Sequence, residues 1–267
     1  MKQRALTSIG LVLIVVPIFF FEPYLTLILL LIAFIASLEL NDLIANKKYP
    51  LLIIASFWLI TAFGLNFISG PDKLIVAGLS LLFFVVIDLL YLEIKFNNIS
   101  LVYTISLLLG FAISSIMYLF KLDVMLVIYV LLVNYGSDVG AYLVGSMFGK
   151  HKLAPKISPN KTIEGSLGGI GLASVLGIVF AMILLREHMS VGKLIIVSFL
   201  LPIISQIGDL FFSSLKRNYN KEDFGALFPG HGGVLDRIDS LIFSLVFMII
   251  FIRLGYLGVF MWKKLSY

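Results

Sequence analysis

The chain contains no cysteine and few charged residues, and both absences narrow what it can be. Without cysteine there is no disulfide, no thiolate zinc site and no thiol nucleophile. Charged residues make up 13% of the 267 residues, against roughly 25% in an average soluble domain, whereas 60% are hydrophobic. These proportions exclude an ordinary soluble domain and predict a polytopic integral membrane protein.

Histidine is also scarce, and the basic residues lack the pattern of a nucleic-acid surface. The three histidines, His151, His188 and His231, lie far apart in the sequence, which argues against a histidine-rich zinc site. The net charge is +5, but no basic stripe alternates with aromatic residues on which bases stack. We therefore expect no nucleic acid among the partners.

The hydrophobic segments have the length of membrane-spanning helices. A hydrocarbon core of about 30 Å requires roughly 20 helical residues. The sequence therefore predicts an all-α polytopic integral membrane protein with about nine transmembrane helices. The predicted spans are residues 5–21, 24–44, 51–69, 72–92, 100–120, 124–147, 165–185, 192–213 and 236–257. The first resembles a signal peptide, but the following "FFFEPY" offers no small-residue cleavage site, so we expect a retained helix.

Polar residues are concentrated in two loops of the second half, residues 149–164 and 214–235. We therefore divide the chain into N-terminal transmembrane helices, residues 1–123, and a C-terminal catalytic transmembrane region, residues 124–267. With nine spans, most Lys and Arg residues lie on the N-terminal side, so the positive-inside rule places the N-terminus and both loops in the cytoplasm. Much of that excess lies in the loops themselves, where chemistry is another reason for it.

The first candidate site begins with an acidic residue inside a predicted span. Asp138 shares a helix face with Asn134 and Tyr142. It is either a buried carboxylate neutralised by a neighbouring helix or a group that lines a polar cavity. The second interpretation is favoured, because ionisable residues inside membranes are usually functional.

The loop after Asp138 predicts a phosphate site. In "SPNKT" a turn at Ser158 would expose backbone N–H groups, while Lys161 and Thr162 add a positive charge and a hydroxyl. The segment lacks the frame of a Walker A loop. The next span opens with small residues that predict close helix packing. These are Gly165, Gly168, Gly169 and Gly171.

The second candidate site extends from Gly208 to Asp239. Asp209, Ser213 and Lys216 share one helix face, and Asp236 and Asp239 share a face of the next helix. The short connection predicts antiparallel neighbours whose carboxylates meet at one membrane surface. Carboxylates without cysteine or clustered histidine favour Mg²⁺. The alternative is that the acidic residues stabilise a helix N-terminus while Lys and Arg mark the cytoplasmic face. That alternative does not explain why acidic, basic, glycine and histidine residues are concentrated in one short segment.

The stretch "SSLKRNYNKEDFGALFPGHGGVLDRID", residues 213–239, resembles the signature of phosphatidate cytidylyltransferases, also called CDP-diacylglycerol synthases. The segment from Asp138 to Gly165 is similar to the upstream block of that family. One position departs from the pattern. Glu222 stands where the family usually has Lys, and Lys221 is displaced by one. Either Lys221 reaches the same phosphate or that contact is dispensable.

The resemblance implies a reaction between CTP and phosphatidic acid that gives CDP-diacylglycerol and pyrophosphate, with Mg²⁺ required. The sequence leaves two alternatives open: that a second cation is needed beside Mg²⁺, and that the chain forms a homodimer. The resemblance also implies a multi-pass protein of the cell membrane whose active site faces the cytoplasm.

The residues that match the motifs are given roles on the same basis. Asp209 and Asp236 are predicted to hold the metal, with Asp239 close by, and Lys216 and Arg217 to grip the triphosphate. Asp138 and Glu164 are expected to organise the pocket. For His231 an orienting or hydrogen-bonding role is favoured over that of an acid. The predicted substrate-binding residues are Ser158, Asn160, Lys161, Thr162, Glu164, Ser213, Lys221, Gly232, Gly233 and Arg237.

Two other functions compete with this one. CTP-dependent kinases of polyprenols or phytol are similar to the family, but they need a base for a neutral hydroxyl. A transporter would also carry Asp138 and Asp209 inside spans, yet transporters commonly show inverted repeats, and none is evident here. A non-catalytic scaffold leaves the dense segment 208–239 unexplained.

Overall fold

The computed structural model of the chain describes residues 22–45, 47–65, 72–187, 189–225, 227 and 232–256. The regular secondary structure of this part is helical apart from one small hairpin. The helices are α1 (Glu22–Ile44), α2 (Pro50–Gly64), α3 (Asp72–Leu90), α4 (Phe96–Leu122), α5 (Val124–Phe148), α6 (Ile163–Leu184), α7 (Val191–Asn218) and α8 (Leu235–Tyr256). The strands are β1 (Lys152–Ala154) and β2 (Ser158–Thr162).

The helices fit an all-α membrane protein. Five of those described, α1, α4, α5, α6 and α7, are long and apolar enough to cross a bilayer. Eight of the predicted spans overlap described helices. The predicted span 5–21 lies outside the described residues, as does the end of the span 51–69, whose helix ends at Gly64. The largest extension is in α7, which runs to Asn218 rather than 213, because Lys216 and Arg217 continue the helix beyond its apolar part.

The polar segment after α5 folds into an antiparallel hairpin. Lys152 pairs with Thr162 and Ala154 with Ser158, and the Ile157 amide donates to the Ala154 carbonyl at 3.1 Å. The turn predicted at Ser158 is therefore wrong: the chain turns at residues 155–157, and Ser158 begins a strand. Pairing between the strands satisfies backbone groups that a turn would leave free.

The described chain forms two compact units. The first comprises the described residues within 1–117 and 219–238, and the second comprises those within 118–218 and 239–267. In the first unit α1 packs on α2 and α2 on α3. The contacts are apolar: Leu40, Leu59 and Ile60 are completely buried.

In the second unit α6 packs against both α5 and α7. Glycines allow the approach to α5, since a Cβ atom at Gly169 would lie 2.6 Å from the Ser137 carbonyl oxygen. A Cβ atom at Gly165 would lie 2.7 Å from the Ala141 carbonyl oxygen, and one at Gly168 would collide with Val144. The predicted close packing is confirmed at these three positions. It is wrong at Gly171, which faces open space.

A buried polar network also joins helices of the second unit. The Asn134 amide nitrogen of α5 donates to the Ser240 hydroxyl of α8 at 3.0 Å. The Asn134 oxygen accepts from Ser205 at 2.8 Å and from Ser244 at 2.7 Å. Because polar groups are costly inside an apolar helix bundle unless paired, this network fixes how α5, α7 and α8 meet.

Candidate active site

A cavity of about 550 Å³ opens in the second unit, walled by α5, α6, α7 and the hairpin. Its volume lies within the range of small-molecule sites, roughly 300–1,000 Å³. Apolar side chains such as Tyr142, Leu153 and Leu210 form part of the wall. The polar residues of the wall are Asp138, Ser146, Asn160, Lys161, Thr162, Ser166, Gln206 and Asp209.

The main charged contact of the cavity wall joins the hairpin to α7. The Lys161 ammonium forms an ion pair with the Asp209 carboxylate, and both side chains stay about one-quarter exposed. The Ser213 hydroxyl donates to the other Asp209 oxygen at 3.2 Å. Asp138 is exposed on the wall of the same cavity and lies within electrostatic reach of Asp209 and Lys161. The cavity therefore presents positive and negative groups together.

The side chains of Thr162 and Glu164 hold the strand that carries Lys161 in place. Thr162 ends β2 and caps α6, its hydroxyl accepting from the Gly165 amide at 3.1 Å. Glu164, in the first turn of α6, accepts from the amides of Lys150 and His151 at 3.1 and 3.2 Å. Its other oxygen lies 2.6 Å from His151 Nδ1. The hairpin is thus fastened to the helix at both ends.

More of the predicted site residues lie near this cavity. Asp239 is buried, accepts from the Ser240 amide at 2.7 Å and lies within electrostatic reach of Asp209 and Lys216. Lys216 is buried too. Arg217 is exposed and donates from Nε to the Ile157 carbonyl at 3.3 Å, which places the end of α7 beside the hairpin turn.

Gln206 lies on the cavity wall, although no sequence motif indicates it as a site residue. Its amide nitrogen donates to the Ser137 hydroxyl at 3.0 Å and to the Ser166 carbonyl at 3.1 Å, and its oxygen accepts from the Ser166 hydroxyl. One side chain therefore contacts both α5 and α6. The available signal was a glutamine within an apolar helix, one turn before Asp209.

The rest of the signature lies in the first unit. Asp236, in the first turn of α8, accepts from the amides of Gly233 at 2.9 Å and Phe224 at 2.8 Å. Gly232 has a φ of 78°, a conformation that favours glycine. Arg237 is exposed. Lys221 donates to the Asp42 carbonyl near the end of α1.

The structure brings some of the predicted residues together and leaves others apart. Asp138, Asn160, Lys161, Thr162 and Asp209 share the cavity wall. Ser158 and Glu164 support the hairpin and are not on that wall. His231 lies outside the described residues. Asp209 and Asp236 belong to different units, so their pairing around a metal stays a prediction from the sequence.

The donor groups fit Mg²⁺ in the manner usual for phosphate substrates. In the part of the chain that the structure describes, no three acidic or histidine side chains stand close enough to form a metal site alone. Mg²⁺ is commonly held by one or two carboxylates together with substrate phosphates and water. Asp209 on the cavity wall is suited to that arrangement. The sequence has no cysteine, and among the described residues no cluster of imidazoles favours a softer metal.

Comparison with known proteins agrees with these features. Residues 2–255 match the model of the cytidylyltransferase family. The phosphatidate cytidylyltransferase of Staphylococcus epidermidis is 35% identical over 258 residues, covering 92% of this chain and 96% of that protein. The enzyme of the same name from Bacillus subtilis is 31% identical, covering 93% of this chain and 96% of its own length. The chain therefore belongs to the cytidylyltransferase family.

Proposed function

We propose that this protein transfers the cytidylyl group of CTP to phosphatidic acid, forming CDP-diacylglycerol and pyrophosphate. The observation that carries the proposal is the Lys161–Asp209 ion pair on the wall of a nucleotide-sized cavity among apolar helices. Relatives named phosphatidate cytidylyltransferase align along nearly the whole chain and support the same reaction.

The reaction is a substitution at phosphorus. A phosphate oxygen of the lipid forms a bond to the α-phosphorus of CTP, while the bond from that phosphorus to the β-phosphate bridging oxygen breaks. Pyrophosphate leaves with the electron pair. The phosphate monoester has a second pKa of about 6, as phosphorylated side chains do, so it is largely ionised at neutral pH. Little base catalysis is needed, and the protein contributes position and charge.

The cavity residues supply those two contributions. Lys161 lies where an ammonium group can neutralise phosphate charge, and Asn160 and Thr162 add hydrogen-bonding groups beside it. Lys216 and Arg217 are proposed to hold the triphosphate and the departing pyrophosphate. Ser213 and Gln206 orient the cavity wall through the contacts described above. Ser158, Glu164, Lys221, Gly232, Gly233, Arg237 and His231 remain proposed as substrate-site residues on the sequence motif alone.

Mg²⁺ is proposed as the cofactor, with Asp209 as a ligand. When bound, it would neutralise phosphate charge and help to orient the reacting groups. Asp236 remains the second ligand predicted from the sequence, and a second cation beside Mg²⁺ remains a proposal.

The mixed wall of the cavity suits substrates of different polarity. Tyr142 is 74% exposed and lines the cavity beside the acidic groups. Met147 and Leu167, on α5 and α6, present apolar surface outside it. We propose that the acyl chains stay against this apolar surface, while the lipid phosphate and the nucleotide meet the charged groups.

The membrane topology is proposed in finer detail than the described helices give. We propose about nine spans in the cell membrane, with the N-terminus and active site on the cytoplasmic side, where CTP is available. The contact of Arg217 with the hairpin supports one shared side for the polar segments that follow α5 and α7. The concentration of Lys and Arg in these segments points to the cytoplasm. A homodimer stays a prediction.

The function is tested with purified protein in detergent micelles. The assays use CTP labelled either in cytosine or in the γ-phosphate, and the lipid acceptor is either phosphatidic acid or a polyprenol. We expect cytosine label in a lipid product only with phosphatidic acid, with one pyrophosphate released per product. Transfer of the γ-phosphate to polyprenol, without cytosine, would instead identify a lipid kinase and overturn the proposal.

A further inference from the structure

Glu39 lies in α1, far in sequence from the signature, yet its carboxylate contacts the signature segment directly. Its two oxygens accept from the amides of Val234 and Leu235, at 2.7 and 2.8 Å. The side chain is buried, with 5% of the residue exposed. All of these residues belong to the first unit.

The contact is made at the point where α8 begins. The first amides of a helix have no partner within the helix, and a negative charge beside them is favourable. Glu39 satisfies two of these donors at once, so it fixes both the position and the direction of the first turn of α8. Asp236 and Arg237, two residues of the signature, lie in that turn.

Two described glycines that precede α8, Gly225 and Gly233, lie against the same carboxylate. A Cβ atom at Gly225 would lie 2.8 Å from Glu39 Oε1, and one at Gly233 would collide with the carboxylate. Asp236 reinforces the arrangement through the amides of Gly233 and Phe224. Two carboxylates, one from α1 and one from α8, thus hold a single backbone path through residues 233–236.

We propose that Glu39 is a positioning residue for the cytidylyl transfer: it holds the signature segment at the start of α8 in its reactive arrangement without contacting substrate. This inference rests on the proposed function. It also gives the N-terminal half of the chain a part in the reaction, through α1.

The test compares Glu39→Gln and Glu39→Ala with Glu93→Gln, a matched control. Glu93 is exposed and pairs with Lys47 in the same unit. Glutamine keeps the size of the side chain but only one acceptor oxygen, and alanine keeps none. We expect kcat per folded molecule to fall about 10-fold in Glu39→Gln and about 100-fold in Glu39→Ala, as for a misplaced catalytic group. The KM for CTP should stay within about twofold, because binding contacts are retained.

Amide hydrogen exchange measured by mass spectrometry supplies a readout independent of turnover. We expect exchange of residues 233–236 to accelerate about tenfold in Glu39→Ala, with peptides of α6 unchanged. Unchanged exchange at these amides, or unchanged kcat in both variants, would overturn the proposal, as would exchange that rises equally throughout the protein. If Glu39→Ala fails to fold, kcat and amide exchange are measured instead on Glu39→Gln and on Gly225→Ala. In Gly225→Ala the added methyl group crowds the Glu39 carboxylate.

The two proposals fail in different ways. If the unmodified protein makes no CDP-diacylglycerol, the proposed function fails whatever the variants do. If it does make the product and the Glu39 variants turn over normally, only the positioning role fails.

Discussion

Lys161, the fourth residue of a five-residue strand, forms an ion pair with Asp209, which lies about two and a half turns before the end of a 28-residue helix. The pair joins the two segments of the second unit that carry most of the proposed chemistry. Because both side chains line one cavity and stay partly exposed, they remain accessible to a charged substrate.

We expect Lys161→Met and Asp209→Asn each to lower the rate of CDP-diacylglycerol formation about 100-fold, since each removes a charge proposed to act on phosphate or its cation. Lys156→Met, in the exposed hairpin turn, is the matched control and should retain at least half of the activity. Initial rates with labelled CTP check the effect. Activity near that of the control in either cavity variant would contradict the assignment.

Gly140 and Gly171 form a matched pair for the packing of α5 and α6. A Cβ atom at Gly140 would lie 2.9 Å from Leu172 Cβ and 3.0 Å from Gly169 Cα, whereas one at Gly171 meets nothing within 4 Å. Gly140→Ala should therefore cost about 1–3 kcal/mol of unfolding free energy through overpacking. Gly171→Ala should leave it unchanged or slightly raised. Thermal unfolding in detergent measures both, and equal effects would refute the packing argument.

The Asn134 network should contribute to stability more than to turnover. Asn134→Ala removes three hydrogen bonds, which at about 0.6 kcal/mol each inside a membrane amounts to roughly 2 kcal/mol. The control is Ser174→Ala, because the buried Ser174 hydroxyl has no hydrogen-bond partner among the described residues. That change should be neutral or stabilising. Urea unfolding in mild detergent compares the two, and a larger loss in Ser174→Ala would be the contrary result.

Gly232 is expected to tolerate no side chain. Its φ of 78° is strained for alanine, and a Cβ atom would lie 2.8 Å from the Asp236 carboxylate. Gly232→Ala should cost about 1–2 kcal/mol locally and displace the start of α8, so activity should fall at least about tenfold. Gly192→Ala, at an open position of α7, serves as the control. Equal activity in both variants would show that the backbone at Gly232 is unimportant.

The sequence predicted the helices well, because runs of apolar residues have a length set by the bilayer. It missed the hairpin, since its strands have only three and five residues and carry mostly polar side chains. The sequence indicates Asp138 because an ionisable group inside a span is costly. It indicates Lys161 through the polar SPNKT segment, and Asp209 through the helix face shared with Ser213. All three lie on one cavity wall.

Glu39 and Gln206 were not identified as site residues because their partners are distant in sequence. Glu39 is 195 residues from the amide of Val234. Gln206 is 69 residues from Ser137. No local pattern relates such residues. Only the packing of the helices brings them together, and a single sequence does not contain that information in readable form.

The helix cap at Thr162 has a consequence for the design of chimeras between related proteins. β2 and α6 meet at Thr162 without a linker, and Glu164 accepts a hydrogen bond from the Lys150 amide, which precedes β1. A chimera cut between residues 150 and 165 would separate the Lys161 ammonium group from the contacts that fix its strand. The stretch from the end of α5 through the first turn of α6 should therefore be transplanted whole.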